Sequence, residues 1–177
     1  QDLSKWNVGK VTKMQGMFYQ ASAFNGDLSK WDVRKVTNMQ GMFFQAIAFN
    51  GDLSKWIVGQ VANMDNVFNG AKSFNQDLSK WNVARVHDMS GMFTKASKLY
   101  QDLSKWNVGR VTNMRNMFSG AESFNQDLSQ WNVGQVSAMS AMFKGSTSFK
   151  QGRCGAAWVD SKSRKGNLCQ DSFGAIA

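Results

Sequence analysis

The chain repeats itself with an unbroken period of 25 residues. Asp-Leu-Ser-Lys-Trp opens at Asp2, Asp27, Asp52, Asp77 and Asp102, and Asp-Leu-Ser-Gln-Trp opens at Asp127. Six copies without insertion or deletion mean that each unit is one coil of a stack and that neighbouring coils complete its core. Most recurring residues therefore recur for packing. Function has to be sought in the side chains that face outward and where the pattern breaks.

With each unit numbered from its Asp, apolar residues hold positions 2, 5, 7, 10, 13, 16, 17, 20 and 23. In the first copy these are Leu3, Trp6, Val8, Val11, Met14, Met17, Phe18, Ala21 and Phe24. The spacing of two from Trp6 to Val8 predicts a short strand with one outward residue between two inward ones. The steps of three and four from Val11 to Ala21 predict a short helix or 3₁₀ segment with one buried stripe. The expected fold is an α/β repeat, a leucine-rich-repeat-like right-handed solenoid with one short parallel strand and one short helix per coil, its handedness taken by analogy. Equivalent strands would lie about 4.8 Å apart.

Trp6, Trp31, Trp56, Trp81, Trp106 and Trp131 read as an internal ladder rather than a platform for sugars or bases. Trp shares a strand face with the Val column, and a buried aromatic in every coil supplies most of the core area. The Met column from Met14 to Met139, with Met17, Met42, Met92, Met117 and Met142 beside it, reads as core filling rather than an adaptable binding surface.

The pattern Trp-Asn-Val-Gly-x-Val-Thr-x-Met-x-x-Met-Phe-x-x-Ala-x-x-Phe-Asn-x-Asp-Leu-Ser, over roughly residues 1–150, resembles the repeat of the bacterial surface proteins grouped as BspA-like, or DUF285. The resemblance implies an atypical leucine-rich-repeat solenoid on a secreted or surface-anchored protein, hence an extracellular or cell-surface location, often linked to adhesion. It implies no defined ligand. The departures are Ile57 in place of Asn or Asp, Leu99-Tyr100 in place of Phe-Asn, and the stretch from Lys144 to Lys150, which loses its Ala and Asn.

Residues 1–150 are thus expected to form six coils, and 151–177 a C-terminal cap in which Trp158, Val159 and Phe173 cover the open end. Cys154 and Cys169 read as a disulfide closing that cap, given the surface family, the terminal location and the lack of metal-type spacing. In the loop-entropy account such a bond stabilises by about 3 kcal/mol. The chain opens on Gln within a repeat, so a leader or further repeats are expected upstream. No run approaches the roughly 18 apolar residues of a membrane span.

The formal charge is +9, and both the repeats and the tail are basic. Strand alternation would turn positions 4, 6 and 8 outward. Position 4 carries Lys5, Lys30, Lys55, Lys80 and Lys105, ending in Gln130, and position 9 adds Lys10, Lys35, Arg85 and Arg110. Such a stripe reads either as a polyanion-binding face or as a solvated, solubilising one. Between these columns sit Asn7, Asp32, Ile57, Asn82, Asn107 and Asn132, beside small residues such as Gly9, Gly59 and Gly109. They read as a shallow groove or as a structural amide ladder.

The Asp column reads as a set of Asx-turn acceptors rather than calcium ligands, because its recurring neighbours are Ser and Lys. Tyr19, Phe44 and Ile47 read as an apolar patch that meets a missing cap or a second copy of the chain.

No cofactor is expected, and the chain is not expected to be an enzyme. His87, the one histidine, occupies a column otherwise held by Thr, Ala and Ser, and no phosphate-binding loop or metal cluster occurs. The leading expectation is an extracellular binding or adhesion module for a polyanionic glycan, another surface polymer or a host surface protein. A structural spacer or self-associating stalk is the alternative. Charge-driven nucleic-acid binding ranks below both, because the tryptophans read as buried.

Overall fold

The computed structural model describes residues 2–150. They form six coils, residues 2–26, 27–51, 52–76, 77–101, 102–126 and 127–150, each laid on its neighbour in register. Equivalent rings stack along the pile, Phe43 on Phe68 at 5.5 Å and 2° and Trp56 on Trp81 at 6.4 Å and 1°.

The expected α/β leucine-rich-repeat-like solenoid is not what forms. No helix occurs among the described residues. The only β-bridges among them join Lys13, Asn38, Asn63, Asp88, Asn113 and Ala138 in one parallel file at position 12. Each coil is instead a succession of tight turns. In coil two the amides of Trp31, Val36, Met42, Phe44, Ala46 and Phe49 each donate to the carbonyl three residues back, at 2.9–3.0 Å.

The helix fails for a local reason. Positions 15 and 19 hold positive φ in every coil, as at Gly41 (58°) and Gln45 (53°). Each is the third residue of a turn, where a type II turn requires left-handed backbone. A left-handed residue every fourth position cannot propagate an α-helix. The steps of three and four between apolar residues are the period of overlapping turns.

Alternate amides of this tract join the coils. Those of Met39, Gly41, Phe43 and Gln45 donate to the carbonyls of Asn63, Asp65, Val67 and Asn69 in the next coil at 2.6–3.0 Å, while those of Met42, Phe44 and Ala46 close the turns. Backbone groups thus find partners without regular secondary structure.

The expected strand fails differently. Trp31 and Val33 do point inward and Lys30 and Arg34 outward, but here the coil-to-coil bond comes from the indole. Nε1 of Trp31, Trp56, Trp81, Trp106 and Trp131 donates to the carbonyl of Leu3, Leu28, Leu53, Leu78 and Leu103 at 2.9–3.0 Å. The Trp rings step by 6.4–6.5 Å, too far for a strand ladder with its spacing of about 4.8 Å. The Phe18 column steps by only 5.3–5.6 Å. Rings within each column are nearly parallel, so these separations measure the local step between coils. The stack therefore splays at the Trp edge, its outer side, and closes at the bridge edge, its inner side.

The core columns lie where their periodicity puts them. Trp31 to Trp131 are 1–4% exposed, whereas Trp6, with no described coil over it, is 51% exposed. The Met columns are buried apart from Met17, and Leu99 takes the place of Phe fully buried. Ser146, in the Ala column, is buried and donates its hydroxyl to the Phe118 carbonyl. Trp158, Val159, Phe173, Cys154 and Cys169 lie outside the described residues, as do the cap and disulfide expected there.

Candidate functional site: the outward columns and a polar groove

The Asp column is committed to local structure. Asp27 Oδ1 accepts the Ser29 amide at 2.8 Å, and Asp2, Asp52, Asp77, Asp102 and Asp127 repeat the contact at 2.8–2.9 Å. These are the expected Asx turns. The Ser hydroxyl and amide hold each carboxyl below its usual range, the amide contributing most at Asp127. The charges of Lys30, Lys55, Lys80 and Lys105 add to the effect at Asp27, Asp52, Asp77 and Asp102.

Lys5, Lys30, Lys55, Lys80 and Lys105 are exposed, each the third residue of the turn that leads into Trp. Lys10, Lys35, Arg85 and Arg110 are exposed at the same place in the following turn. The two columns flank the splayed Trp edge on the outer side of the stack. The position 4 column runs beside the Asp column, so most of its charge is balanced. No acidic column accompanies position 9.

The amide column between them is also engaged. Asn7, Asn82, Asn107 and Asn132 each accept through Oδ1 the amide two residues on, at 3.1–3.2 Å. Asp32 accepts from the Arg34 amide and pairs with its guanidinium at 2.7 Å. Hydrogen bonding by Arg34 lowers the Asp32 carboxyl to about 2. These bonds stay within one coil, so no ladder between coils forms from these side chains. Ile57 breaks the column as an exposed apolar residue.

A second feature lies on the inner side, at positions 14, 15 and 18, which the periodicity left unassigned. Ser90, Gly91 and Thr94 of coil four form the floor of an open groove of ≈ 470 Å³. Asp65, Asn66 and Asn69 of coil three wall one side, and Arg115, Asn116 and Ser119 of coil five the other. The sequence signal was the loss of repetition: the same three positions read Gln15, Gly16 and Tyr19 in coil one and Gln40, Gly41 and Phe44 in coil two.

A family model described as "Mycoplasma protein of unknown function, DUF285" matches residues 1–96 and again 77–167. The chain belongs to the DUF285 family. No curated protein matches it. DUF285 membership accounts for the repeat, and the family's function is unknown, so the functional reading of this DUF285 chain rests on its outward side chains.

Proposed function

We propose that this chain is a non-catalytic binding module of the cell exterior that engages an anionic surface polymer, such as a sulfated glycan, through weak contacts summed over coils. The supporting observation is the file of exposed cations at position 9, Lys10, Lys35, Arg85 and Arg110, with no acidic column beside it. Four of the six coils carry a cation at this position, with Gln60 and Gln135 in the other two, so a polymer meets like contacts in two adjacent pairs of coils, and salt screens every one of them. The Lys column at position 4 plays the lesser part, because its Asp neighbours balance it. Catalysis is disfavoured by the prior commitment of the Asp column to turn amides and by the lone, exposed His87.

The test is binding to a panel of sulfated glycans and polyphosphate at low and high salt, with the variant K35E/R85E/R110E alongside K30E/K55E/K80E. Steep salt dependence and loss in the position 9 variant, with unchanged thermal unfolding, are expected. Silence across the panel would overturn the reading and leave the stack as a spacer.

A further inference from the structure

We propose that the inner groove across coils three to five binds an uncharged oligosaccharide, with Tyr19 and Phe44 as an aromatic platform on the same file. This site is separate from the outer basic columns and does not rest on them.

The groove is built rather than incidental. A Cβ on Gly91 would stand 2.2 Å from Asn66 Oδ1, and Gly91 has φ +59°, so a side chain in the floor would push the Asn66 amide aside. On either side, Asn66 and Asn116 hold the same left-handed backbone, at 57° and 55°, where coils one, two and four use Gly. The turn accounts for Asn or Gly at those positions, and Asn alone of the two adds a side-chain amide to the groove wall. Asn is among the few residues that adopt this conformation at small cost.

The coil-three wall is held in place by its own hydrogen bonds. Asp65 Oδ1 accepts from Asn66 Nδ2 at 2.6 Å and from the Ser90 hydroxyl at 2.9 Å, and Oδ2 accepts from Gln40 Nε2 at 2.9 Å. Asn69 Nδ2 donates to Asn66 Oδ1 at 2.7 Å. The side-chain oxygen of Asn69 (Oδ1), the side-chain carboxamide of Asn116 and the Arg115 guanidinium face the rim. Vicinal hydroxyls, each both donor and acceptor, match such a mixture of fixed groups. The carboxylate of Asp65 in the coil-three wall, with that of Asp88 bonded by the Ser90 hydroxyl of the floor, disfavours a polyanion.

The aromatic pair supplies the second half of the site. Tyr19 is 53% exposed and stacks on Phe44 at 4.7 Å and 5°. Both occupy position 18, the file that continues into Asn69 and Thr94. The Gln45 amide bonds the Asn69 carbonyl at 2.6 Å, so platform and groove lie on adjoining coils. The two rings face each other along the stack, so their outward edges form an apolar margin for the C–H faces of a pyranose, while the groove takes its hydroxyls. A single sugar covers one or the other, and a short linear chain covers both.

Two variants are tolerated by precedent within the chain. Thr94→Tyr puts into coil four the residue that coil one carries at that position, and fills the groove. Asn116→Ala copies Ala141, which holds φ 55° in coil six. Titration calorimetry with cello-, malto-, manno- and N-acetylchito-oligosaccharides of graded length should find one series whose affinity rises with length and does not change with salt. Both variants, and Phe44→Ala, should weaken it by about tenfold or more, while Thr94→Tyr, which gives up the Thr94 hydroxyl bond to the Asn116 carbonyl, and Asn116→Ala lower thermal unfolding only slightly and still unfold cooperatively. No binding by any series would overturn the proposal, as would binding that survives Thr94→Tyr. Salt-sensitive binding lost in K35E/R85E/R110E would also overturn it, by assigning the glycan to the outer columns.

Discussion

Trp56 Nε1 donates to the Leu28 carbonyl of the preceding coil at 3.0 Å, and the same carbonyl accepts the Trp31 amide that closes its own turn at 3.0 Å. One oxygen thus fastens a turn within its coil and the next coil onto it. The bond recurs along the stack, so the outer edge is stitched by side chains and the inner edge by backbone.

Trp56→Phe keeps an aromatic ring in the core and removes the stitch. The cost is one hydrogen bond, about 0.5–1.5 kcal/mol, plus the void left by the smaller ring. Trp6→Phe, at an exposed position without that bond, should be close to neutral. Urea unfolding followed by tryptophan fluorescence separates them, and equal midpoints would show that the indole bond contributes nothing. Adding Trp106→Phe to Trp56→Phe should roughly double the loss, since the bonds are two coils apart.

Far-ultraviolet circular dichroism tests the architecture. A coil with a helix would give the paired helical minima, and a stack of turns with no helix among its described residues should lack them. Strong helical minima that melt together with the tryptophan signal would contradict the turn-built coil.

The core was legible because burial leaves a residue type at a fixed place in every unit. Leu, Trp, Val, Met and Phe therefore identified the inward side chains even where the backbone reading was wrong. The error arose between Val11 and Ala21, where steps of three and four fit helix and overlapping turns alike. Gly16, Gly41 and Gly91 at position 15, with Gly70, Gly120 and Gly145 at position 19, held the missing clue, since paired glycine columns four residues apart mark left-handed turns. The indole stitch was not legible, because a donor aimed along the stack looks in sequence like any buried Trp. The inner groove was visible only as broken repetition at Asp65, Asn69 and Arg115, without a sign of which face they share.

Gly91→Ala probes the groove floor. The new methyl would displace Asn66 Oδ1 from Asn69 Nδ2 and add left-handed strain of about 1–2 kcal/mol. Combining it with Asn66→Gly removes the collision and leaves only the strain. The double variant should therefore be more stable than the sum of the single changes. Strict additivity in thermal unfolding would show that Gly91 and Asn66 do not meet as described.

The Asp column makes stability depend on acid. Each carboxyl from Asp2 to Asp127 is held below its usual range by the Ser two residues on. A depressed folded value means that the stabilisation is complete above the unfolded value, about 3.9, and is lost as pH falls through the lower folded values. Six copies act together, so the melting temperature should hold steady from neutral pH to about pH 5 and drop steeply below about pH 4. Asp27→Asn, Asp52→Asn, Asp77→Asn and Asp102→Asn combined keep an Oδ1 acceptor for each Ser amide and remove four titrating groups. That variant should melt below the parent at neutral pH, converge with it in acid and so show a shallower acid limb. An unchanged acid limb would mean that the column's charge contributes nothing to the turns, which would then rest on the neutral hydrogen bond alone.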